Sequence, residues 1–489
     1  MTSSTQARTV DLHIGGAASA PENGRFVVKT QRLTGQDVAQ VAAAAAPDAV
    51  RAVAAAAQAG PGWAGLAPAG RRAVLERAAE LLEERGAEIA ATMGREMGAA
   101  AAWCGFNVKL GANMLREAAA QVYATIGQVI PSDVPGMTAI AERKPLGVVV
   151  GIAPWNAPII LGVRAIAMPL AFGNTVVLKA SEETPATQAA IVQCLVDAGA
   201  PAGVVNLITN APEDAAEVVE ALIAHPAVRC VNFTGSTRVG RRIGELAGRH
   251  LTRSVLELGG KAPFVVLADA DLDEAAAAAS FGAFMNQGQI CMSTERIIVD
   301  RAVAEPFADK LAERARALVV GDPQEPGTQL GPLVHEAAVA HVHALVQDAV
   351  AHGATVLTGG EPDGLFFPPT VLTGVGAEAR IYTEESFGPL APIIVVDGVD
   401  EAVRVANDSE YGLSAAVFTS DADLGLYVAR RIESGICHIN GATVHDEAQM
   451  PFGGVKASGF GRFGSQASLE EFTELRWVTL SSEHRHYPI

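Results

Sequence analysis

The chain has 489 residues and a formal net charge of −18 at pH 7. This length exceeds what one hydrophobic core supports, so we expect two or three domains. The acidic excess argues against a surface for nucleic acid or anionic membrane, because both need clustered Lys and Arg. The five cysteines lie far apart, with no CxxC pair and no metal-ligand spacing, which predicts a reducing cytoplasm and no metal site.

Residues 1–8 lack the apolar core of a signal peptide. The longest apolar region, 145–178, is interrupted by Trp155, Asn156 and Arg164 and by several prolines. We therefore expect no membrane span.

The N-terminal third alternates weak and strong signals. Residues 1–40 carry scattered β-prone pieces and are placed only as an edge segment. From 48 to 97 apolar residues recur at helical spacing, which predicts two or three amphipathic helices against a sheet, and a further helix runs to residue 120. Two β-prone pieces, 122–130 and 137–143, predict a projecting hairpin. Residues 472–480 form another β-prone piece without an obvious partner nearby.

From residue 145 the pattern becomes an alternation of strands and helices. The predicted strands are rich in Val and Ile, which indicates a parallel sheet covered on both faces. The alternation restarts after Glu257, and we place a domain boundary there. The predicted order is strand 147–152, helix 158–171, strand 175–179, helix 185–198, strand 204–208, helix 213–225 and strand 228–233, then strand 264–267, helix 273–284, strand 297–299, helix 303–317 and strands 370–372 and 393–396.

Three residues carry candidate chemistry in sequence contexts that also have ordinary explanations. Cys291 stands in a polar, glycine-loosened turn and is either an inert small hydrophobe or a nucleophile. Glu257 has apolar neighbours, and burial would raise its pKa toward that of a general base, although a salt-bridged structural acid is the usual alternative. Asn156 follows a strand and is either an oxyanion donor or a buried turn asparagine.

Two further segments have the setting of a dinucleotide site. Residues 233–240 follow a strand and open a helix, where free N–H groups receive a pyrophosphate, but the pattern is not GxGxxG. Glu182 lies just past the carboxyl end of a strand, where its carboxylate would bind ribose hydroxyls and repel the extra phosphate of NADP. By position alone, a helix-start acid is an equally good interpretation of Glu182.

Five motifs in this order resemble the aldehyde dehydrogenase superfamily over nearly the whole chain: Pro154-Trp155-Asn156, Phe233-Thr234-Gly235-Ser236-Thr237, Leu256-Glu257-Leu258-Gly259-Gly260-Lys261, the Cys291 loop and Glu385-Ser386-Phe387-Gly388-Pro389. The resemblance implies an α/β fold with a Rossmann-type NAD-binding domain (1–121 and 145–256), an α/β catalytic domain (257–455) and a β oligomerisation arm (122–144 and 470–489). A homodimer or homotetramer is implied as well.

The resemblance also implies the site residues. Cys291 is the expected nucleophile, Asn156 and the Cys291 backbone N–H the oxyanion hole, and Glu257 the base that activates water for hydrolysis of a thioester. Glu257 argues against a rival CoA-acylating dehydrogenase, and the presence of Cys291 and Asn156 argues against a non-enzymatic binding protein. The expected NAD contacts are Ile152, Pro154, Trp155, Lys179, Ser181, Glu182, Gly235, Ser236, Val239, Leu258, Glu385 and Phe387.

The sequence both departs from the family and matches it on the proton route. Ala165 stands where the family commonly has a lysine, so a relay through a lysine is doubtful. Glu474 matches the family's second glutamate, which leaves release through water, Glu257 and Glu474 open. Residues 209–212 replace a glycine-rich turn, and no adenine contacts are carried onto them.

The expected substrate depends on Arg164, two helical turns past Asn156 and therefore on roughly the same side of the helix. An arginine there either has a structural partner such as Asp446 or offers donors to a substrate oxygen, and both interpretations stay open. With the segment 437–454, this arginine is similar to the salicylaldehyde, vanillin and benzaldehyde dehydrogenase branch. We predict an aromatic aldehyde, with Arg164, Ile290, Met292 and Phe452 lining the pocket, over an aliphatic or broad-range substrate.

Overall fold

The computed structural model describes residues 8–484 and 487–489. The first seven residues, which bear on the signal-peptide prediction, and residues 485–486 of the predicted arm lie outside this range. The described residues form four β-sheets with α-helices between them. The helices are Ala46–Gly65, Pro68–Glu84, Gly86–Met97, Ala101–Ala120, Pro158–Ala171, Pro185–Asp197, Ala215–Ala224, Thr237–Arg249, Leu272–Phe284, Ala304–Ala317, Glu336–Ala351, Gly398–Asn407, Ala422–Ala429 and Ala467–Phe472.

The first large sheet has eight strands, of which the central five are parallel. Their Val and Ile side chains are buried on both faces, as the near-continuous apolar runs predict. In spatial order the strands are Gly459–Phe460, Arg253–Glu257, Val228–Thr234, Val148–Ile152, Thr175–Lys179, Val205–Ile208, Leu12–Ile14 and Ala17–Ser19.

The second large sheet has seven strands, and only its first pair is antiparallel. It begins after residues 258–261, which connect the two sheets, and the chain returns to the first sheet at Gly459–Phe460 beside Arg253–Glu257. This return lies outside the ranges assigned to either predicted domain, and the domain bounds remain predictions. In spatial order the strands are Thr355–Thr358, Thr370–Thr373, Leu390–Val396, Thr294–Asp300, Ala262–Val266, Ser414–Phe418 and Ile436–Ile439.

The helix Pro158–Ala171 fixes the residues just before it against the first sheet. All 14 of its residues are buried, and Pro158 stands in its first turn, where a missing N–H costs nothing. A Cβ at Gly151 would lie 2.9 Å from the Cβ of Ala165, so the glycine lets helix and strand approach closely. Asn156 is thereby held between a strand end and a helix start.

One smaller sheet joins the C-terminal β-prone piece to the predicted hairpin. Thr473–Ser481 pairs antiparallel along its whole length with Met137–Pro145, and the third strand is Gln128–Ile130. The first β-prone piece is shorter than predicted, because Val122 is fully buried and residues 121–123 continue the preceding helix as a 3₁₀ turn. The fourth sheet contains Arg8–Val10, Asp37–Ala42 and Phe26–Thr30.

Across the described residues, none of the helices is both long and apolar enough to span a bilayer.

Candidate active site

The candidate nucleophile lies in a tight loop between the two large sheets. The helix Leu272–Phe284 ends in a turn in which Asn286 and Gln287 adopt φ angles of 49° and 55°. A Cβ on Gly288 would lie 2.1 Å from the carbonyl oxygen of Gly388, so only glycine fits there. Burial, together with the negative charge of Glu257, raises the pKa of the Cys291 thiol well above its ordinary range. The thiol is therefore protonated at neutral pH and needs a base.

Glu257, at the end of the strand Arg253–Glu257, has the properties of that base. It is 1% exposed, and burial raises its pKa to about 7 against the opposing charge of Arg164. Cys291 and Thr234 lie beside the carboxyl group, yet neither carboxyl oxygen accepts a hydrogen bond of ordinary geometry from the part of the chain that the structure describes. A carboxyl with this pKa exchanges protons readily near neutrality.

Gly259 and Gly260 bring three segments of the site together. A Cβ on Gly259 would lie 2.6 Å from a carboxylate oxygen of Glu385, and one on Gly260 would lie 2.4 Å from the carbonyl oxygen of Cys291. The Gly260 N–H donates to Glu385 Oε1 at 2.9 Å. The two glycines are thus required because backbone and carboxylate approach where side chains would stand.

Asn156 is held against the nucleophile loop. Its Nδ2 donates to the Gln289 carbonyl oxygen at 2.9 Å. Its own backbone carbonyl accepts from Trp103 Nε1 at 2.9 Å and from Asn286 Nδ2 at 3.2 Å. The carboxamide is therefore fixed two residues from Cys291 and is 4% exposed.

Three segments carry the residues expected to contact the cofactor: residues 179–182, the Gly235–Ser236 turn and the Glu385–Phe387 turn. The first contains a charged acid. Glu182 Oε1 accepts from Lys179 Nζ at 2.5 Å and from Asn210 Nδ2 at 2.8 Å. Burial opposes ionisation of Glu182, but the Lys179 charge and these hydrogen bonds outweigh it and lower its pKa. Ser181 next to it donates its N–H to Gln188 Oε1 at 2.6 Å. Asn210 belongs to the loop onto which the sequence placed no contacts.

The second segment, Gly235–Ser236, lies at the start of a helix. Ser236 caps the helix Thr237–Arg249, and its Oγ accepts from the Val239 N–H at 3.4 Å. The Gly235 N–H donates to the Glu257 carbonyl at 3.1 Å, which ties this turn to the catalytic strand. Free N–H groups at such a helix start suit a phosphate. A Cβ on Gly240 would lie 2.3 Å from a Leu258 methyl, so the helix packs directly on Leu258.

The third segment is the turn that contains Glu385 and Phe387. Burial and the negative charge of Glu295 raise the pKa of Glu385 to about 8. Phe387 has a φ of 45°, and its ring meets Trp155 edge-on at 5.9 Å between centroids. On the neighbouring strand, Ile152 is buried, and the Pro154 carbonyl accepts from Gln188 Nε2 at 3.1 Å.

Glu295 is a residue that sequence reasoning missed. It pairs with Lys261 Nζ at 2.6 Å and accepts from the N–H groups of Ser386 and Phe387 at 3.0–3.1 Å. Both members of the pair are almost fully buried. The available signal was an acid four residues past the cysteine and a lysine beginning an apolar strand.

The substrate side is dominated by Arg164. Its guanidinium lies 4.0 Å from the Phe452 ring centroid and forms a buried ion pair with Asp446, the structural partner that the sequence left open. Burial raises the pKa of Asp446 against the charge of Arg164. A narrow cleft is lined by Met114, Arg164, Ala167, Met168, Glu447, Ala448, Met450, Phe452, Phe463 and Gly464.

Ile290 and Met292 flank Cys291 and are buried in the same hydrophobic core as Phe452, but they do not line this cleft.

Of the two residues considered for the proton route, Glu474 is exposed on the arm strand, in register with Lys144. Release through water, Glu257 and Glu474 stays a hypothesis. Ala165 packs on Gly151, and its carbonyl accepts from Asn232 Nδ2 at 2.9 Å, so this position faces the sheet. The described residues also contain no group of His, Cys, Asp and Glu arranged to hold a metal ion.

A partly buried thiol beside a carboxyl of near-neutral pKa, in an α/β fold, is the arrangement expected of a thiol-dependent oxidoreductase. The aldehyde dehydrogenase family model matches residues 19–478, and this chain belongs to that family.

Individual relatives agree with this assignment. The chain is 58% identical over 480 residues to a vanillin dehydrogenase of Pseudomonas fluorescens, covering 98% of this chain and 99% of the relative. It is 45% identical over 452 residues to a salicylaldehyde dehydrogenase of Pseudomonas sp. strain C18, covering 92% and 94%. The crystal structure of a salicylaldehyde dehydrogenase from Pseudomonas putida G7, complexed with salicylaldehyde, matches with a TM-score of 0.97 and 42% identity, covering 99% and 100%.

Proposed function

We propose that this aldehyde dehydrogenase oxidises aromatic aldehydes of the salicylaldehyde, vanillin and benzaldehyde kind to carboxylic acids, with NAD as the acceptor. The observation that carries the substrate proposal is Arg164. Its guanidinium lies over the Phe452 ring in a cleft that is apolar apart from Glu447, and its charge acts on both Glu257 and Cys291. Such a cleft suits an aromatic ring, and the guanidinium offers donors to a ring oxygen. The names of the relatives point the same way.

The proposed chemistry begins with proton transfer from Cys291 Sγ to Glu257. The thiolate adds to the aldehyde carbon, and the oxyanion accepts hydrogen bonds from Asn156 Nδ2 and the Cys291 backbone N–H. Asn156 Nδ2 carries two hydrogens. One is donated to the Gln289 carbonyl, and the other is left for the oxyanion. Bound NAD supplies the hydride acceptor, and the substrate carbon then remains on Cys291 as a thioester. After losing its proton to solvent, Glu257 deprotonates a water that hydrolyses this thioester.

Three segments support the proposed binding of a dinucleotide. The ionised Glu182 at one end suits two ribose hydroxyls, the Gly235–Ser236 helix start suits phosphate, and Glu385 at the other end suits the second ribose. Phe387 contacts Trp155, and we expect Phe387 to pack against the nicotinamide ring. Ile152, Pro154, Lys179, Ser181, Val239 and Leu258 complete the proposed contacts.

The preference for NAD over NADP follows from charge. Glu182 is held ionised by Lys179 and Asn210, and a 2′-phosphate would meet that negative charge. We expect kcat/KM to be higher with NAD than with NADP in the wild type. In Glu182→Gln we expect the ratio of these two kcat/KM values to be smaller. An equal or larger kcat/KM with NADP in the wild type would refute the preference.

The substrate proposal is tested by kcat/KM for salicylaldehyde, vanillin, benzaldehyde and propanal in the wild type and in Arg164→Lys, which keeps the charge paired with Asp446. We expect aromatic aldehydes to exceed propanal, and the lysine variant to lose most with hydroxylated rings because an ammonium lacks the planar fork of donors. If propanal equals the aromatic aldehydes in the wild type, the alternative of an aliphatic or broad-range dehydrogenase replaces this proposal.

We also propose a homodimer or homotetramer assembled through the arm, and a cytoplasmic location. Apolar side chains are exposed on the arm, including Val129, Leu475 and Trp477. All five cysteines are free thiols, which suits a reducing compartment.

A further inference from the structure

The buried pair of Lys261 and Glu295 joins the three segments that carry the reacting groups. Lys261 follows Glu257 by four residues, Glu295 follows Cys291 by four residues, and the Glu295 carboxylate receives the N–H groups of Ser386 and Phe387. The hydroxyl of Ser386 donates to the same carboxylate. The Glu295 carboxylate belongs to the segment that carries Cys291. It binds the segment that carries Glu257 through Lys261, and it also binds the Glu385–Phe387 turn.

The turn needs this support because its backbone is strained. Phe387 has a φ of 45°, a region that non-glycine residues seldom occupy unless their surroundings enforce it. Glu295 supplies charge-assisted hydrogen bonds to two consecutive N–H groups in a nearly dry environment, where such bonds are strong.

A purely stabilising role explains this arrangement less well. A buried ion pair is often replaceable by apolar residues without loss of stability, since desolvation of the charges offsets their attraction. An apolar pair in its place would leave the two N–H groups of the turn without their acceptor. The Glu295 carboxylate is the group that accepts these hydrogen bonds from the turn.

We propose that Glu295 is a positioning residue for hydride transfer: paired with Lys261, it holds the Glu385–Phe387 turn so that the nicotinamide half of the cofactor stays aligned with Cys291. This proposal rests on the assignment of that turn to the cofactor. Glu295 does not touch the reacting atoms. It acts through Glu385 and Phe387, and its loss is expected to slow the hydride step while leaving the thiol chemistry in place.

The test separates the hydride step from the thiol chemistry in Glu295→Gln. We expect the first-turnover rate constant for NADH formation to fall about tenfold or more, since small misalignments are costly in rate. With a 1-deuterated aldehyde, the primary isotope effect on that step should increase. Hydrolysis of p-nitrophenyl acetate without cofactor, which acylates Cys291 but transfers no hydride, should stay near the wild-type rate. Equal losses of both activities, or no loss of either, would overturn the proposal.

The double variant Lys261→Met with Glu295→Leu removes the pair without leaving a buried charge unpaired. We expect its Tm to be higher than that of Glu295→Gln, which leaves the Lys261 charge buried and unpaired, and its NADH formation to remain slow. Recovery of the wild-type hydride rate in this variant would show that the pair serves stability alone.

A control completes the experiment. Phe387→Leu tests the assignment of the turn itself. If it changes neither NADH binding, followed by NADH fluorescence, nor hydride transfer, the cofactor assignment fails whatever Glu295 does.

Discussion

At the scale of single residues, the site depends on two neighbouring acids whose pKa values are both raised. Burial raises the pKa of both Glu257 and Cys291, and each is the other's neighbour. Neither group is well solvated as an anion, so the ionised forms exist near neutrality only at a cost in stability.

The activity should follow the ionisation of Glu257. Its pKa is raised to about 7, so half of the carboxyl is in the basic form at this pH and nearly all of it is about one pH unit higher. We expect the single-turnover rate of thioester hydrolysis in the wild type to rise through pH 7 and to level off about one pH unit higher. Glu257→Gln should give at most one burst of NADH with little steady state at any pH, as followed by stopped-flow absorbance. Steady-state turnover in this variant with the wild-type pH profile would assign the base elsewhere.

The stability should change in the opposite sense. Because the folded-state pKa of Glu257 lies above its ordinary value of 4.5, the folded protein binds more protons between pH 4.5 and 7, and stability falls as pH rises through this window. Glu257→Gln should therefore raise the free energy of unfolding at pH 8 by up to roughly 3 kcal/mol and change it little at pH 4.5. Thermal unfolding at both pH values measures this, and a variant destabilised at pH 8 would contradict it.

At the scale of elements, the short strand Gly459–Phe460 fixes the end of the strand that carries Glu257. It pairs antiparallel with Leu256 and Glu257 after the chain has traversed the second sheet. Gly459 has a φ of 102°, and a Cβ there would lie 2.0 Å from the Leu256 carbonyl oxygen. This close approach is possible only for glycine.

Gly459→Ala should displace the end of the Glu257 strand. We expect a loss of about 1–3 kcal/mol in stability from the strained backbone, and a larger relative loss in hydrolysis of the thioester than in its formation. The matched control is Gly248→Ala, in a helix with open space around the added methyl, which should be neutral or stabilising. Chemical denaturation and burst kinetics report the two effects, and a Gly459 variant as active and stable as the control would refute this role.

At the scale of the whole molecule, the arm presents an unusual apolar surface. Leu475 and Trp477 are 59% and 75% exposed, and strand alternation places them on one face of the arm sheet. Both edge strands of that sheet, Gln128–Ile130 and Thr473–Ser481, have one side without a partner strand among the residues described. Such edges favour pairing with another chain.

The double variant Leu475→Glu with Trp477→Glu should therefore yield a smaller species than the wild type in analytical ultracentrifugation. The physical reason is the cost of burying two carboxylates in an apolar contact. Arg476→Gln, on the opposite face of the strand, serves as the control and should leave the mass unchanged. A wild type that sediments as a monomer would contradict assembly through the arm.

The sequence by itself determined the parallel α/β fold. Cys291, Glu257 and Asn156 each have an ordinary explanation when taken alone, and the five ordered motifs together predicted them as the reacting groups. These features have local signals: apolar runs of strand length, glycines beside a buried acid, and polar residues at strand ends. Only the tertiary structure decided the pairing of Thr473–Ser481 with Met137–Pro145 and the exposure of Glu474. It also decided the partner of Arg164 and the contacts among Lys261, Glu295 and Ser386. These contacts join residues far apart along the chain, and no local periodicity encodes which distant polar groups become neighbours when the two sheets pack.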